Sequence, residues 1–338
     1  GKAASLGILF RDAAALETMH KVNILVMDKT GTLTEGRPSL VNVTTGNNVN
    51  MDALLARCAS LEQNSEHPIA HAFLQKAAEE KLTLSPIEDF QSFPGGGVAG
   101  TFQGSKVCVG TADMMQKRGV DISSLAPWVE EQRRQGRVTV FAAVDGQAAG
   151  AFSLADKIRE NTRQALADLT ARGIRIIIAS GDAPATVEAV ARELGISEFH
   201  GGMTPADKQA LIASLKSGNA VVAMAGDGVN DAPALAEADV GIAMGTGSDV
   251  AMQSCGVTLV KGNLLVTSKA FALSTATVKN MKSNLGFAFA YNALGIPIAA
   301  GILYPFWGIL LSPVIAAGAM CLSSVSVILN ALRLRRFS

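Results

Sequence analysis

The sequence predicts an α/β fold: a doubly wound parallel sheet, interrupted by an α+β module and followed by a pair of long apolar helices. Three observations carry this. Short, nearly continuous apolar runs recur at 23–27, 174–179 and 220–225, the texture of strands buried on both faces. Helical stretches alternate with the later strands, as crossover connections in a parallel sheet require. The last quarter holds two stretches, 284–304 and 308–332, without formal charge and each about the length that spans a bilayer.

In chain order, residues 1–21 read as one helix, with Leu6, Leu9, Leu16 and Met19 at roughly helical spacing. A strand at 22–27 leads into Asp28-Lys29-Thr30-Gly31-Thr32-Leu33-Thr34. From 37 to 152 the texture becomes short alternating segments with turn pairs such as Gln103-Gly104 and Asp145-Gly146, and helices near 51–63, 68–80 and 123–135. From 153 the α/β pattern resumes: helix 159–172, strand 174–179 ending at Ser180-Gly181-Asp182, and helix 184–194 closed by Gly195. A helix opened by Thr204-Pro205-Ala206-Asp207-Lys208 comes next. The strand 220–225 then ends at Gly226-Asp227-Gly228-Val229-Asn230-Asp231, with short strands near 240–244 and 257–260. A helix over 262–283 leads to the apolar pair. The expected divisions are therefore 1–36, 37–152, 153–282 and 283–338. The chain opens on Gly1-Lys2 without Met, which reads as a partial chain.

Composition narrows the function. The 338 residues carry equal numbers of acids and bases, so there is no bulk charge to hold nucleic acid. Cys58, Cys108, Cys255 and Cys321 are widely spaced and form no CxxC, against a disulfide framework or zinc site. Lys279 and Lys282 precede the first apolar stretch, and Arg333, Arg335 and Arg336 follow the second. Basic flanks at both ends predict a membrane hairpin with both ends cytoplasmic, turning at Tyr304-Pro305-Phe306-Trp307.

The chemistry lies at strand ends. Asp28, Asp182 and Asp227 with Asn230 and Asp231 all follow apolar strands, and Lys208 opens a helix between the last two. A single strand-end Asp is usually a solvated surface group; three carboxylate-rich ends and a lysine together fit phosphoryl transfer. A carboxylate attacking a phosphoryl group needs the charge on both neutralised. Mg²⁺ at Asp28, Asp227 and the Thr30 carbonyl would do so on one side, Lys208 on the other. Ser180 and Gly181 would donate to phosphate oxygens, and Asn230 and Asp231 would hold the metal's waters. Covalent transfer to Asp28 splits one difficult step into two.

In the 37–152 module, Gly95-Gly96-Gly97-Val98-Ala99-Gly100 matches G-x-G-x-x-G as a string but precedes a strand, which argues against a dinucleotide fingerprint. Glycines that let backbone approach a base or ribose are the better account. His67 would stack on or bond adenine, and Glu62 would accept from its amino group. Ser65-Glu66-His67-Pro68 also reads as a helix start. In the apolar pair, Tyr291 and Asn292 lie mid-span, where polar side chains mark pathways. Met320 and Ser324 share a face of the second helix. A thioether suits soft Cu(I), yet Met320 reads equally well as packing and Ser323-Ser324 as bonding their own helix carbonyls.

The strings DKTGTLT at 28–34, PADK at 205–208 and GDGVNDAPAL at 226–235 resemble the phosphorylation-domain motifs of P-type ATPases. The resemblance implies a haloacid-dehalogenase-like fold for the α/β part, ATP as phosphoryl donor, and an aspartyl phosphate at Asp28. Ser180 stands where the family usually has Thr, and Lys157 where many members have Pro in DP-x-R, which leaves that segment's turn open. Glu62, His67, Gly95 and Gly97 match the ATP-contacting motif of the heavy-metal branch, with Gly110 as an addition. The YN pair at 291–292 and the M-x-x-S-S pattern at 320–324 resemble the last two helices of copper-transporting members. This implies Cu(I), with Ag(I) equally soft, as cargo at Tyr291, Asn292, Met320 and Ser324. It further implies a bacterial inner membrane with cytoplasmic catalytic domains. The implied partners are ATP, Cu(I), membrane lipid, the transporter's remaining helices and actuator domain, and a copper chaperone. Two other readings use the same residues: a membrane-anchored Mg²⁺-dependent phosphohydrolase and a non-catalytic nucleotide-binding fragment.

Overall fold

The computed structural model describes residues 2–46, 49–227, 230–245, 255–260, 263–300 and 313–336. The chain divides into two compact units, one made of 1–25, 164–175 and 212–338, the other of 26–163 and 176–211.

In the first unit the strands Val222–Gly226, Val240–Met244 and Val257–Leu259 lie parallel, with Ala225 beside Ile242 and Ala243 beside Thr258. All three are buried along their length, which is why they read as unbroken apolar runs. The expected single helix over 1–21 is corrected. Helix Lys2–Ser5 stops at Gly7, whose φ of +75° suits glycine. Strand Ile8–Phe10 then pairs antiparallel with Val257–Leu259. A second helix, Ala13–Met19, starts where the Asp12 carboxylate accepts from Ala15 N at 2.7 Å.

The predicted helix 262–283 and the first apolar stretch form one helix, Leu264–Ala299, which packs against helix Pro313–Leu332. Three asparagines clasp the pair. Asn280 Nδ2 donates to the Asn330 carbonyl at 2.7 Å, Asn330 Nδ2 to Asn284 Oδ1 at 2.8 Å, and Asn284 Nδ2 to Asn280 Oδ1 at 3.2 Å. Among the described residues no helix is long and apolar enough to cross a membrane. The expected spans 284–304 and 308–332 are therefore not matched by a described membrane helix. Residues 301–312, including the predicted Tyr304–Trp307 turn, lie outside the described residues.

The second unit holds a six-stranded antiparallel sheet in the order Thr34–Thr45, Gln147–Ile158, Val138–Val144, Ser105–Gly110, Gly97–Phe102, Glu88–Phe93. Its central strands are apolar on both faces. Val107, Val109, Val140 and Phe152 pack under helices Met51–Glu62 and Pro68–Glu79. Cys108, Phe141 and Ala151 face Met115, Leu125 and Val129 from helices on the other side. In the Asp156–Arg159 segment, whose turn the sequence left open, Asp156 to Ile158 end strand Gln147–Ile158, with Ile158 beside Thr34 and Asp156 beside Pro38, and Arg159 follows the strand.

Phe73 and Phe152 meet edge to face, centroids 4.8 Å apart, both fully buried. Phe73→Ala is expected to lower the unfolding free energy of this unit by about 3–5 kcal/mol, read from urea denaturation. A loss under 1 kcal/mol would contradict the packing described.

Candidate active site

Strand Ile24–Met27 is buried at every position and delivers Asp28 to the turn Lys29–Leu33. Gly31, at φ +74°, makes that turn without a side-chain clash. Thr34 Oγ1 closes it by donating to the Lys29 carbonyl at 2.9 Å. Arg159 pins it from outside: Nη2 donates to the Gly31 carbonyl and Nε to the Thr34 carbonyl, both at 2.8 Å. Asp156 Oδ1 accepts from Gly36 N at 2.9 Å and Arg37 N at 3.2 Å. Burial pushes the Asp156 carboxyl above its ordinary value, against the lowering effect of Thr34, Lys29 and those two amides. The sequence reading gave Asp156 and Arg159 no part in the site; the missing Pro drew attention to the turn, whereas the charges at either end do the holding.

Asp28 is 6% exposed, and Lys208 Nζ lies 2.6 Å from its Oδ1. Lys208 is set by a capping box: Asp207 Oδ2 accepts from Thr204 N at 2.8 Å and from Thr204 Oγ1 at 2.7 Å. Asp207 N donates to Thr204 Oγ1 at 3.2 Å, with Pro205 opening helix Pro205–Leu215. Those bonds from Thr204 hold the Asp207 carboxyl below its ordinary value.

Asp182 gathers a second cluster. Its Oδ2 lies 3.0 Å from Lys29 Nζ, and accepts from Thr30 Oγ1 at 3.0 Å and Ser180 Oγ at 2.8 Å. Burial alone would raise this carboxyl, but the Lys29 ammonium and the bonds from Lys29, Ser180 and Thr30 outweigh it and hold it low. Ser180 performs this with its hydroxyl, as Thr would. Gly181 follows it, and a Cβ there would meet the Met203 carbonyl at 3.3 Å.

Asp28, Thr30, Ser180, Gly181, Asp182 and Lys208 thus belong to the second unit. Asp227, Asn230 and Asp231 belong to the first, after strand Val222–Gly226. Asp231 is buried against Gly226, where an added Cβ would lie 2.3 Å from Asp231 Oδ2; Asn230 is exposed. Thr32 Oγ1, in the Asp28 turn, is buried and has no hydrogen-bond partner. Among the described residues no three His, Cys, Asp or Glu side chains cluster as a metal cage.

All five residues expected to hold nucleotide line one cavity of about 200 Å³: Glu62, His67, Gly95, Gly97 and Gly110. Two of these glycines are also required by the packing of the sheet itself. Gly97 and Gly110 are cross-strand partners, and a Cβ on Gly97 would lie 2.1 Å from the Val109 carbonyl. One on Gly110 would lie 2.4 Å from the Gly96 carbonyl. They let backbone meet backbone. His67 is a helix cap whose Nδ1 accepts from Ile69 N at 3.2 Å, which leaves the ring proton on Nε2. A larger cleft of about 1030 Å³ is lined by Lys29, Thr30 and Asp182 as well as by His67 and Pro68.

In the helix pair, Tyr291 and Asn292 are exposed, and the Tyr291 hydroxyl lies 3.4 Å from Ser326 Oγ, a residue the sequence reading did not select. Ser324 is exposed on the second helix; the side chain of Met320 lies outside the described residues.

The haloacid dehalogenase-like hydrolase family matches residues 22–239. The chain belongs to this family. Over 335 residues, 99% of its length, it is 50% identical to a copper-transporting P-type ATPase of Rhizobium leguminosarum bv. viciae, and covers 40% of that protein. It is 49% identical, over the same share of its length, to a silver exporting P-type ATPase of Salmonella typhimurium, covering 41%. A crystal structure of a zinc-transporting PIB-type ATPase in the E2.Pi state superposes with a TM-score of 0.88 at 31% identity. That match covers 98% of this chain and 53% of the other. The chain spans about two fifths of the two curated relatives named. The expected resemblance to heavy-metal P-type ATPases and the expected α/β class with an inserted module are borne out.

Glu62 is 4% exposed, and burial pushes its carboxyl up to about 7, offset only partly by Ser65. The folded chain then keeps a proton that the unfolded chain, titrating near 4.5, has lost. This stabilising contribution is intact below the unfolded value and disappears as pH rises through about 7. Glu62→Gln is expected to exceed the parent in stability at pH 8 by on the order of 2 kcal/mol, with the gap closing towards pH 5. Urea titrations at both pH values check it; a pH-independent difference would contradict the assignment. Arg159→Ala removes two charge-assisted bonds and is expected to cost about 3 kcal/mol in the same measurement.

Proposed function

We propose that this chain is the ATP-hydrolysing part of a metal-exporting P-type ATPase and that Asp28 accepts the γ-phosphoryl group of ATP. The observation that carries the reading is the buried Asp28–Lys208 pair, in a unit whose large cleft is lined by Lys29, Thr30 and Asp182 and also by His67. An ATP with its base among Glu62, His67, Gly95, Gly97 and Gly110 would direct its phosphates towards the Asp28 turn along that cleft.

In the proposed step a carboxylate oxygen of Asp28 forms the new P–O bond as the bond to the β–γ bridging oxygen breaks, and ADP departs with that oxygen. Lys208 offsets the charge at Asp28. The Asp182 cluster fixes the Ser180-Gly181 turn for the phosphate oxygens. The residues that would hold Mg²⁺ are Asp28, Asp227 and the Thr30 carbonyl, with Asn230 and Asp231 on its waters. Their oxygens are hard donors suited to that ion, and the unpartnered Thr32 hydroxyl fits a turn that accommodates a ligand. Bound there, the ion would neutralise phosphate charge. Thr30 occupies the position two after the nucleophile, and its hydroxyl is engaged with Asp182. It offers no carboxylate to activate water, which favours a lasting aspartyl phosphate over a simple phosphohydrolase.

The proposed divisions follow: nucleotide binding in 37–152, phosphorylation in 1–36 and 153–282, membrane passage in 283–338. Membrane placement is supported by the large apolar side chains exposed on both long helices, among them Leu285, Phe289, Leu294, Leu322 and Leu329, each at least 60% exposed. Such a surface fits lipid and the remaining helices of a transporter. Cu(I) or Ag(I) is the proposed cargo, at Tyr291, Asn292, Met320 and Ser324, supported by the thioether in that set and by the copper and silver exporters among the relatives. A copper chaperone would deliver it on the cytoplasmic side of the bacterial inner membrane.

Incubation with γ-labelled ATP and Mg²⁺ is expected to give a hydroxylamine-sensitive label on the parent and none on Asp28→Asn. Lys208→Ala should cut labelling at least a hundredfold. Label persisting on Asp28→Asn would refute the nucleophile, and no label on either would leave a nucleotide-binding fragment. In a full-length transporter carrying this segment, Cu(I) and Ag(I) should stimulate turnover more than Zn²⁺; the reverse order would overturn the cargo.

A further inference from the structure

The first unit contains a cavity of about 650 Å³ between helix Ala13–Met19 and helix Leu264–Ala299. The two helices are tied by Ser274 Oγ, which donates to the Leu16 carbonyl at 2.5 Å. The polar lining is His20, Lys21, Lys282 and Asn284 with one acid, Glu17; the apolar lining includes Met281 and Leu285, 45% and 60% exposed. Among the described residues neither lysine ammonium has a carboxylate partner. A cation after a helix C-terminus complements the helix dipole, which accounts for Lys21. It does not account for Lys282, on another helix and facing the same cavity.

The surrounding charge is one-sided. From Leu264 to the end of the sequence there are Lys269, Lys279, Lys282, Arg333, Arg335 and Arg336, and no Asp or Glu. Lys282 is the last charge before the uncharged run, and Leu285 lies inside that run, so the cavity straddles the point where charge stops. Two unpaired ammonium groups beside an apolar wall form an amphipathic receptor: an anion satisfies one part and a hydrocarbon chain the other.

We propose that this cavity binds the headgroup of an anionic glycerophospholipid, its phosphate between Lys21 and Lys282 and its first acyl carbons along Met281 and Leu285. The inference rests on the membrane reading of the two long helices. It assigns the membrane's own lipid as a ligand that bridges the helix before the Asp28 strand to the helix entering the bilayer.

The test is calorimetric titration of dioctanoyl phosphatidylglycerol into the full chain held in an uncharged detergent. Saturable binding is expected, weakened about fivefold by Lys21→Gln or Lys282→Gln and about 25-fold by both. Lys21→Arg with Lys282→Arg should retain it, and so should Lys269→Gln, an exposed change on the same helix outside the cavity. Unchanged affinity in the double Gln variant, or equal affinity for dioctanoyl phosphatidylcholine, overturns the proposal. Glycerol 3-phosphate or inorganic phosphate binding as tightly as the lipid overturns the lipid as the source of the anion. Alkaline carbonate extraction of cell membranes separates the two readings. A chain released into the supernatant defeats the membrane reading, whereas a retained chain without anionic preference defeats this inference alone.

Discussion

A buried carboxylate must be paired or neutral, and the Asp28 oxygen 2.6 Å from the Lys208 ammonium meets that constraint across 180 residues of sequence. Breaking such a pair strands one charge in the interior, so every segment that positions either partner is under the same demand. This accounts for the density of fixing bonds nearby. The Thr204–Asp207 box sets the start of the lysine's helix. Arg159 and Asp156 tie the turn after Asp28 by its backbone. Lys29 turns the other way, to Asp182. Adjacent residues on one strand end are thereby committed to two separate ion pairs, and the turn that follows them has little freedom left.

The module with the six-stranded sheet is governed by packing. Its sheet is covered by helices on both faces, so the central strands carry apolar side chains on both faces, and neighbouring backbones come close enough that only glycine fits at positions 97 and 110. The cavity floor is a by-product of that approach. His67 serves the fold through Nδ1, which caps a helix, while the residue lines the cavity. Glu62, on the neighbouring helix, is sunk deeply enough for its proton to be exchanged near neutral pH. The side chains proposed to act therefore sit on the ends of rigid elements, where a few tenths of an ångström matter.

Much of this was legible in advance because it depends on local order. Buried strands write themselves as apolar runs, caps and glycine stops mark helix ends, and the strings after Asp28 and Gly226 are long enough to be specific. The reading failed where a distant partner decides. Residues 1–21 have helical spacing, yet Ile8–Phe10 becomes a strand because the edge of Val257–Leu259 offers it hydrogen bonds. The Asp156–Arg159 segment was left open, and pairing with Thr34 and Pro38 holds its first three residues as a strand. Ser326, which no string in the sequence singles out, comes within 3.4 Å of the Tyr291 hydroxyl through the packing of two helices.

The sequence by itself determined the family, and it marked out the residues proposed as nucleophile, charge-offsetting lysine and nucleotide contacts, since each rests on residue types at fixed local spacing. Tertiary structure alone decided which ammonium meets which carboxylate, which guanidinium holds the turn after Asp28, and why positions 97 and 110 are glycine. Those are matters of distance in space between residues far apart along the chain, and local spacing carries no record of them.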